Sequence, residues 1–183
     1  MLAIFGRKKI TESQVADLFV NHTLDVVDQG WPVVREFIID SAEFAVAPEI
    51  EEEDYGKFLM IILAVNFSYI PKHFEAGVDR EIIRKSVERF AQIFDITPEE
   101  FAKKLKDYKS FLSRVNHPSS KMRYSVPKGI FFKYHLNTYQ EDYFQKLNTP
   151  NPIFLKNLDE VTRHFIWDWN SFKEKFKVKE LTA

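Results

Sequence analysis

The stretch FLMIILAV, residues 58–65, decides the fold, because eight apolar residues in a row leave no polar face. It extends through Asn66 and Ser68 to Ile70 and is preceded by Asp54, Tyr55 and Lys57. A bilayer span needs about 20 apolar residues, so this run is too short to cross a membrane. A helix apolar on nearly every side is stable only when other elements surround it. The spacing therefore predicts a central buried helix over 54–70, with Pro71 behind it as a stop.

The flanking segments follow a period of 3.6 residues, and sustained alternation of apolar and polar residues is missing, so the expected class is all-α. Thr11, with Gln14 three residues on, has the form of a capping box. It opens a helix with an apolar stripe of Val15, Leu18, Phe19, His22 and Val26, which Gly30 and Trp31-Pro32 are expected to stop. That stripe points His22 inward. Pro32 is an acceptable first helical residue and predicts a second helix to Phe44. After the central helix, a fourth runs from Asp79 to Phe94. Thr97-Pro98-Glu99-Glu100 caps and opens a fifth, reaching Val115, with its acids where free amides favour negative charge. A sixth is expected from Pro127 to Leu147. A seventh is expected from Asn151-Pro152 to Phe176, because Phe154, Leu158, Val161, Phe165, Trp169, Phe172 and Phe176 recur by threes and fours. Linkers this short favour antiparallel neighbours. The expectation is one helical domain over 1–183, a bundle of about seven mostly antiparallel helices, with poorly ordered ends at 1–10 and 177–183.

Composition agrees with a packed chain: 45% hydrophobic, 15% aromatic with 18 phenylalanines, and a net charge of -1. There is no cysteine, so disulfides, thiolate metal sites and cysteine nucleophiles are excluded. The N-terminal MLAIFGRKKI has its charges after a short apolar run, unlike a signal peptide, which points to a cytoplasmic location. With five glycines, the chain has neither a phosphate-binding glycine loop nor a nucleophile elbow, a dinucleotide fingerprint or a zinc-protease helix. The Glu-x-x-His spacing of di-iron bundles is missing. Glu160 and His164 stand four apart on the seventh helix, a spacing common by accident. No metal or cofactor is expected.

The charges are sorted. From Lys103 to Lys133 there are nine Lys or Arg and one acid, Asp107, whereas from Asp40 to Asp54 there are seven acids and no base. On the fifth helix, Lys103, Lys106 and Arg114 oppose the apolar side. The basic run continues through NHPSSKMRYSVPKG (116–129), where Lys121, Arg123 and Lys128 are expected to converge on free amides at the start of the sixth helix, with Ser125 as cap. Same-sign clusters raise the encounter rate of an oppositely charged partner. The function this layout favours is a non-catalytic binding or regulatory module that docks an anionic ligand or a protein partner through the basic surface 103–133. Tyr124, Phe131, Phe132 and Tyr134 interleave with those bases and keep single-stranded nucleic acid open as a partner, although the pI is near 6.5. Two other readings compete: a bundle that binds an apolar small molecule in a Phe-lined cavity, and an enzyme built on His and carboxylate groups. Trp167 is rotated about 200° from Phe165 on a continuous helix. It then shares a polar face with Glu160 and His164, where it either packs against another element of the fold or marks a candidate interface with a second chain.

Overall fold

The computed structural model describes residues 6–179, and within them the fold is all-α, a packed bundle of eight α-helices with one short strand pair. Helix α1 spans Glu12–Ile39, α2 Tyr55–His73, α3 Val78–Ile93, α4 Pro98–Asn116, α5 Ser125–Lys133, α6 Asp142–Leu147, α7 Pro152–Thr162 and α8 Trp169–Lys175. Strands β1 (Lys8–Ile10) and β2 (Phe176–Val178) pair in parallel, with Lys9 opposite Lys177. No helix among the described residues is long and apolar enough to cross a membrane.

Helix α2 is the centre. Every residue from Phe58 to Phe67 except Met60 is buried, and α1, α3, α4 and α5 all pack on it. Burying a large apolar side chain is worth about 1.5–3 kcal/mol, so this helix supplies the largest share of the core. The expected capping box at Thr11 forms, and the expected cap Thr97 proves to be part of one too. The Gln14 amide donates to Thr11 Oγ1 and the Thr11 amide to Gln14 Oε1, and Thr97 and Glu100 make the same exchange.

The first two expected helices are one. α1 runs through Gly30, Trp31 and Pro32 because the burial stripe Val20, Thr23, Val27, Trp31, Val34 and Ile38 continues across them. Pro32 is exposed, and the carbonyl its missing N–H leaves unpaired, that of Asp28, is on the wet side of the helix. Gly30 is a point of close approach: a Cβ there would lie 2.3 Å from Phe165 Cζ. The stripe is also rotated from the expected one. His22 is exposed and Leu18 is 42% exposed, while Ala16, Val20 and Thr23 turn inward. Pro71 likewise fails to stop α2, which runs two residues further.

The expected sixth and seventh helices are each broken. α5 ends at Lys133, and His135 takes a left-handed conformation (φ 54°) before a 3-10 turn over Leu136–Tyr139. The buried Gln140 side chain then holds the loop together, donating to Asn137 Oδ1 and the Thr149 carbonyl and accepting from the Asn151 amide. After α7 the chain makes a 3-10 turn over Arg163–Phe165 and an extended step before α8. Asn66, buried inside α2, holds that break: its Nδ2 donates to the Phe165 carbonyl (2.9 Å) and its Oδ1 accepts from the Trp167 amide (2.8 Å). Asp168 then caps α8 through the amides of Asn170 and Ser171. The chain ends are more ordered than expected where they are described, since Lys8–Ile10 and Phe176–Val178 form the strand pair. Residues 1–5 and 180–183 of the expected loose ends lie outside the described residues.

Candidate functional site

The nine bases from Lys103 to Lys133 do not neutralise the acidic run 40–54. Among the described residues only two of the nine lie within salt-bridge distance of a carboxylate, Lys103 with Asp107 and Arg123 with Asp159. Five of them, Arg123 included, lie over aromatic rings: Lys109 over Phe67, Arg114 over Phe111, Lys121 and Arg123 over Tyr124, and Lys133 over Tyr108 and Phe111. The negative face of a ring attracts a cation without cancelling its charge. The block thus keeps its positive field while its long side chains are held in place. Burial lowers the Lys109 pKa, and it raises that of Tyr108.

Within this block the fold gathers a smaller set around Tyr124, which is 40% exposed. On one side lies a cleft of about 430 Å³ lined by Tyr69, Lys72, Ser120, Lys121, Arg123 and Tyr124. Tyr124 also borders a second cleft of about 260 Å³, with Lys128, Lys156 and Asp159. The side chains are positioned, not splayed. The Arg123 guanidinium is 4.7 Å from the Tyr124 ring centroid and 3.7 Å from Asp159, and Lys72 Nζ is 4.8 Å from the Tyr69 ring. The loop beneath is fixed by buried Asn116, whose Nδ2 donates to the carbonyls of Ser119 and Lys121, both at 3.1 Å.

Of the residues the sequence marked, Lys121, Arg123 and Lys128 belong to this site. Ser125 does not. It is fully buried, lies inside the first turn of α5 and donates its hydroxyl to the Met122 carbonyl (2.5 Å), so it offers nothing to a ligand. A 3-10 turn over Met122–Tyr124 leads directly into α5, so the open helix start that Ser125 was expected to cap does not occur. Arg114 lies over Phe111 on α4 and borders neither cleft. Lys103 and Lys106 are 13 and 10 residues along α4 from Asn116. At 1.5 Å per residue they stand about 20 and 15 Å away along the helix axis. They belong to the same charged side of the sequence but not to the same contact area. Tyr69, Lys72 and Lys156 were missed because they come from α2 and α7, and no local spacing links them to residues 121–128.

The second expected group does not assemble. Glu160 is on α7, His164 is in the following 3-10 turn, and Trp167 comes after the break, so they share no helical face. Trp167 is half-buried against its own chain, with its ring 4.7 Å from His22 and 5.2 Å from Trp169. Among the described residues no group of three or more His, Asp or Glu is arranged to hold a metal ion.

A wider cleft, about 680 Å³, opens beside Pro32 between α1 and the acidic run. Three of its side chains are tied across it: Arg35 Nε donates to the Ile50 carbonyl, Trp31 Nε1 to the Glu52 carbonyl, and the Tyr55 hydroxyl to Asp28. Burial and the Asp28 charge raise the Tyr55 pKa and keep the hydroxyl protonated. The cleft is the junction that ties residues 50–55 to α1. A scan against protein-family models finds no match to this chain, and neither curated proteins nor solved structures include a significantly similar one.

Proposed function

We propose that the protein is a non-catalytic binding module that docks an acidic segment of a partner protein on the basic surface around Tyr124. One observation carries this: five cations, Lys72, Lys121, Arg123, Lys128 and Lys156, border the two clefts at an exposed tyrosine, and among the described residues lining them there is a single carboxylate, Asp159. Arginine presents a planar fork to a carboxylate and can donate two parallel hydrogen bonds. A tyrosine ring adds contact area at little entropic cost, which suits the centre of an interface. Nucleic acid is the weaker reading. A single strand needs successive open rings to stack on, and of the rings the sequence set among the bases, Phe131 and Tyr134 are buried in the core.

The test is a titration with a polyglutamate peptide, followed by amide shifts and affinity. At low salt the peptide should bind, with shifts at Lys72, Tyr124 and Lys156, and salt should weaken it. The double variant Lys121→Glu/Arg123→Glu should lose about tenfold or more in affinity. Lys103→Glu/Lys106→Glu, which removes as much charge some distance away, should lose much less. Equal losses in the two double variants would mean that net charge and not this site attracts the peptide, and no binding at low salt would refute the proposal.

A further inference from the structure

The parallel pairing of β1 and β2 brings together cations from opposite ends of the sequence. Arg7 precedes β1, while Lys173, Lys177 and Lys179 come from α8, β2 and the residue after it. These four rim a cleft of about 300 Å³ that also runs past the end of α2 and the start of α3. Its apolar wall includes Phe74, Val78, Phe172 and Phe176. Among the described residues Glu75 is the one carboxylate on the lining, so four cations face one acid there. None of the four makes a salt bridge among the described residues.

The parts are held in position. Lys173 Nζ donates to the His73 carbonyl (2.8 Å), and Arg7 donates to the Lys173 carbonyl (3.3 Å), which fixes the rim to both walls. Phe74 meets Trp169 edge-on at 5.1 Å, and the rings of Phe172 and Phe176 are 5.0 Å apart. His73 has its pKa lowered by burial and by the Lys173 charge, so near neutral pH it adds a neutral ring to the wall.

An apolar wall under a cationic rim suits a molecule with the same division: a greasy body and one anionic end. Inorganic phosphate gains nothing from four apolar side chains, and a neutral hydrocarbon gains nothing from the rim. Small-ligand sites typically combine a mainly apolar lining with a few placed polar groups. If each non-hydrogen atom takes about the 30 Å³ of a liquid water, the cleft holds about ten. We propose that this cleft binds a small amphiphilic carboxylate, an aliphatic chain of about that size, with its head among Arg7, Lys177 and Lys179 and its chain on Phe74, Phe172 and Phe176. This site is separate from the surface around Tyr124 and does not depend on how that surface is used.

Octanoate, octanol and inorganic phosphate are the three probes, titrated against the full chain and read by calorimetry and by the emission of Trp169, which touches Phe74. Octanoate should bind at least about tenfold more tightly than either of the others. Lys177→Glu/Lys179→Glu should weaken octanoate about tenfold while leaving octanol and the melting temperature unchanged, since both lysines are exposed. Phosphate binding as strong as octanoate would reduce the site to an anion patch, and octanol binding equally well would reduce it to an apolar one; either result overturns the proposal.

Discussion

Replacing Asn66 with leucine should unlock the C-terminal part of the bundle. Asn66 is 1% exposed, within a helix of Leu, Ile, Val and Phe, and its amide makes three hydrogen bonds: to the carbonyls of Ile62 and Phe165, and from the amide of Trp167. The Ile62 carbonyl keeps its helical partner without the side chain. The Phe165 carbonyl and the Trp167 amide sit at a break with no helix to take them over. Each buried polar group left unpaired costs about 1–3 kcal/mol, so the sum is roughly 2–6 kcal/mol. Burying leucine in place of an amide recovers part of this, which leaves a loss of about 2–5 kcal/mol. For a chain of this length each kcal/mol moves the melting point by about 2–4 °C, giving a fall of roughly 4–20 °C. Urea denaturation read by circular dichroism measures the global loss. Tryptophan emission reports the break directly, because Trp167 and Trp169 flank Asp168 there, and it should begin to change at lower urea than the helical signal. Ser68→Ala, which removes only a hydroxyl bonded within the same helix to the Val65 carbonyl, serves as the control and should stay within about 0.5 kcal/mol. A variant Asn66→Leu as stable as the parent would refute the claim that this amide holds the two halves of the C-terminal region together.

Gly30→Ala should destabilise the protein by up to about 2 kcal/mol, because the new methyl meets the Phe165 ring and overpacking of a core costs about 1–3 kcal/mol, against the roughly 1 kcal/mol by which alanine is the better helix former; a thermal melt showing stabilisation would contradict the packing described. Glu81, in the first turn of α3 and bonded to Arg84, has its pKa lowered from 4.5 to about 2. A depressed carboxylate stabilises the fold above its unfolded value and loses that contribution as pH falls through the folded one. The stability gap between the parent and Glu81→Gln should therefore be no more than the ~1 kcal/mol typical of an exposed pair at neutral pH, and should close between pH 4.5 and about 2. A gap that persists at the acid end would assign the effect to something other than this ion pair.

The parts of the fold legible in the sequence are those set by contacts within a few residues. Thr11 with Gln14 and Thr97 with Glu100 announce two helix starts, and the run at 58–65 announces a buried centre. The errors share one cause, which is that contacts distant in sequence overrode local signals. Pro32 is tolerated because the burial stripe of α1 continues past it to Ile38. The stripe from Phe154 to Phe176 is broken because Asn66, about a hundred residues earlier, binds both sides of the break, and only Asp168, with Ser171 three residues on, hinted at a new helix start. His22 was placed inward by a stripe one residue out of phase, a small angular error that exchanges wet and dry faces. At the candidate site, Lys121, Arg123 and Lys128 could be read because they adjoin one another. Lys72 and Lys156 could not be read, because they come from other helices. The strand pair was invisible for the same reason: three residues at each end carry no pattern, and each is a strand only beside the other.

That pair has a mechanical consequence. Because β1 and β2 run parallel in register from Lys8 opposite Phe176 to Ile10 opposite Val178, tension applied through the chain enters the pair at opposite ends, at the start of β1 and the end of β2. The strands are pulled past one another along their length, and the evenly spaced bonds of a parallel ladder share the load instead of opening one after another. Resistance to stretching is therefore concentrated in two three-residue strands outside the helical core. Pulled from residues 8 and 178, the molecule should hold until this short clasp yields as a unit, and the helices behind it should then come apart at lower force.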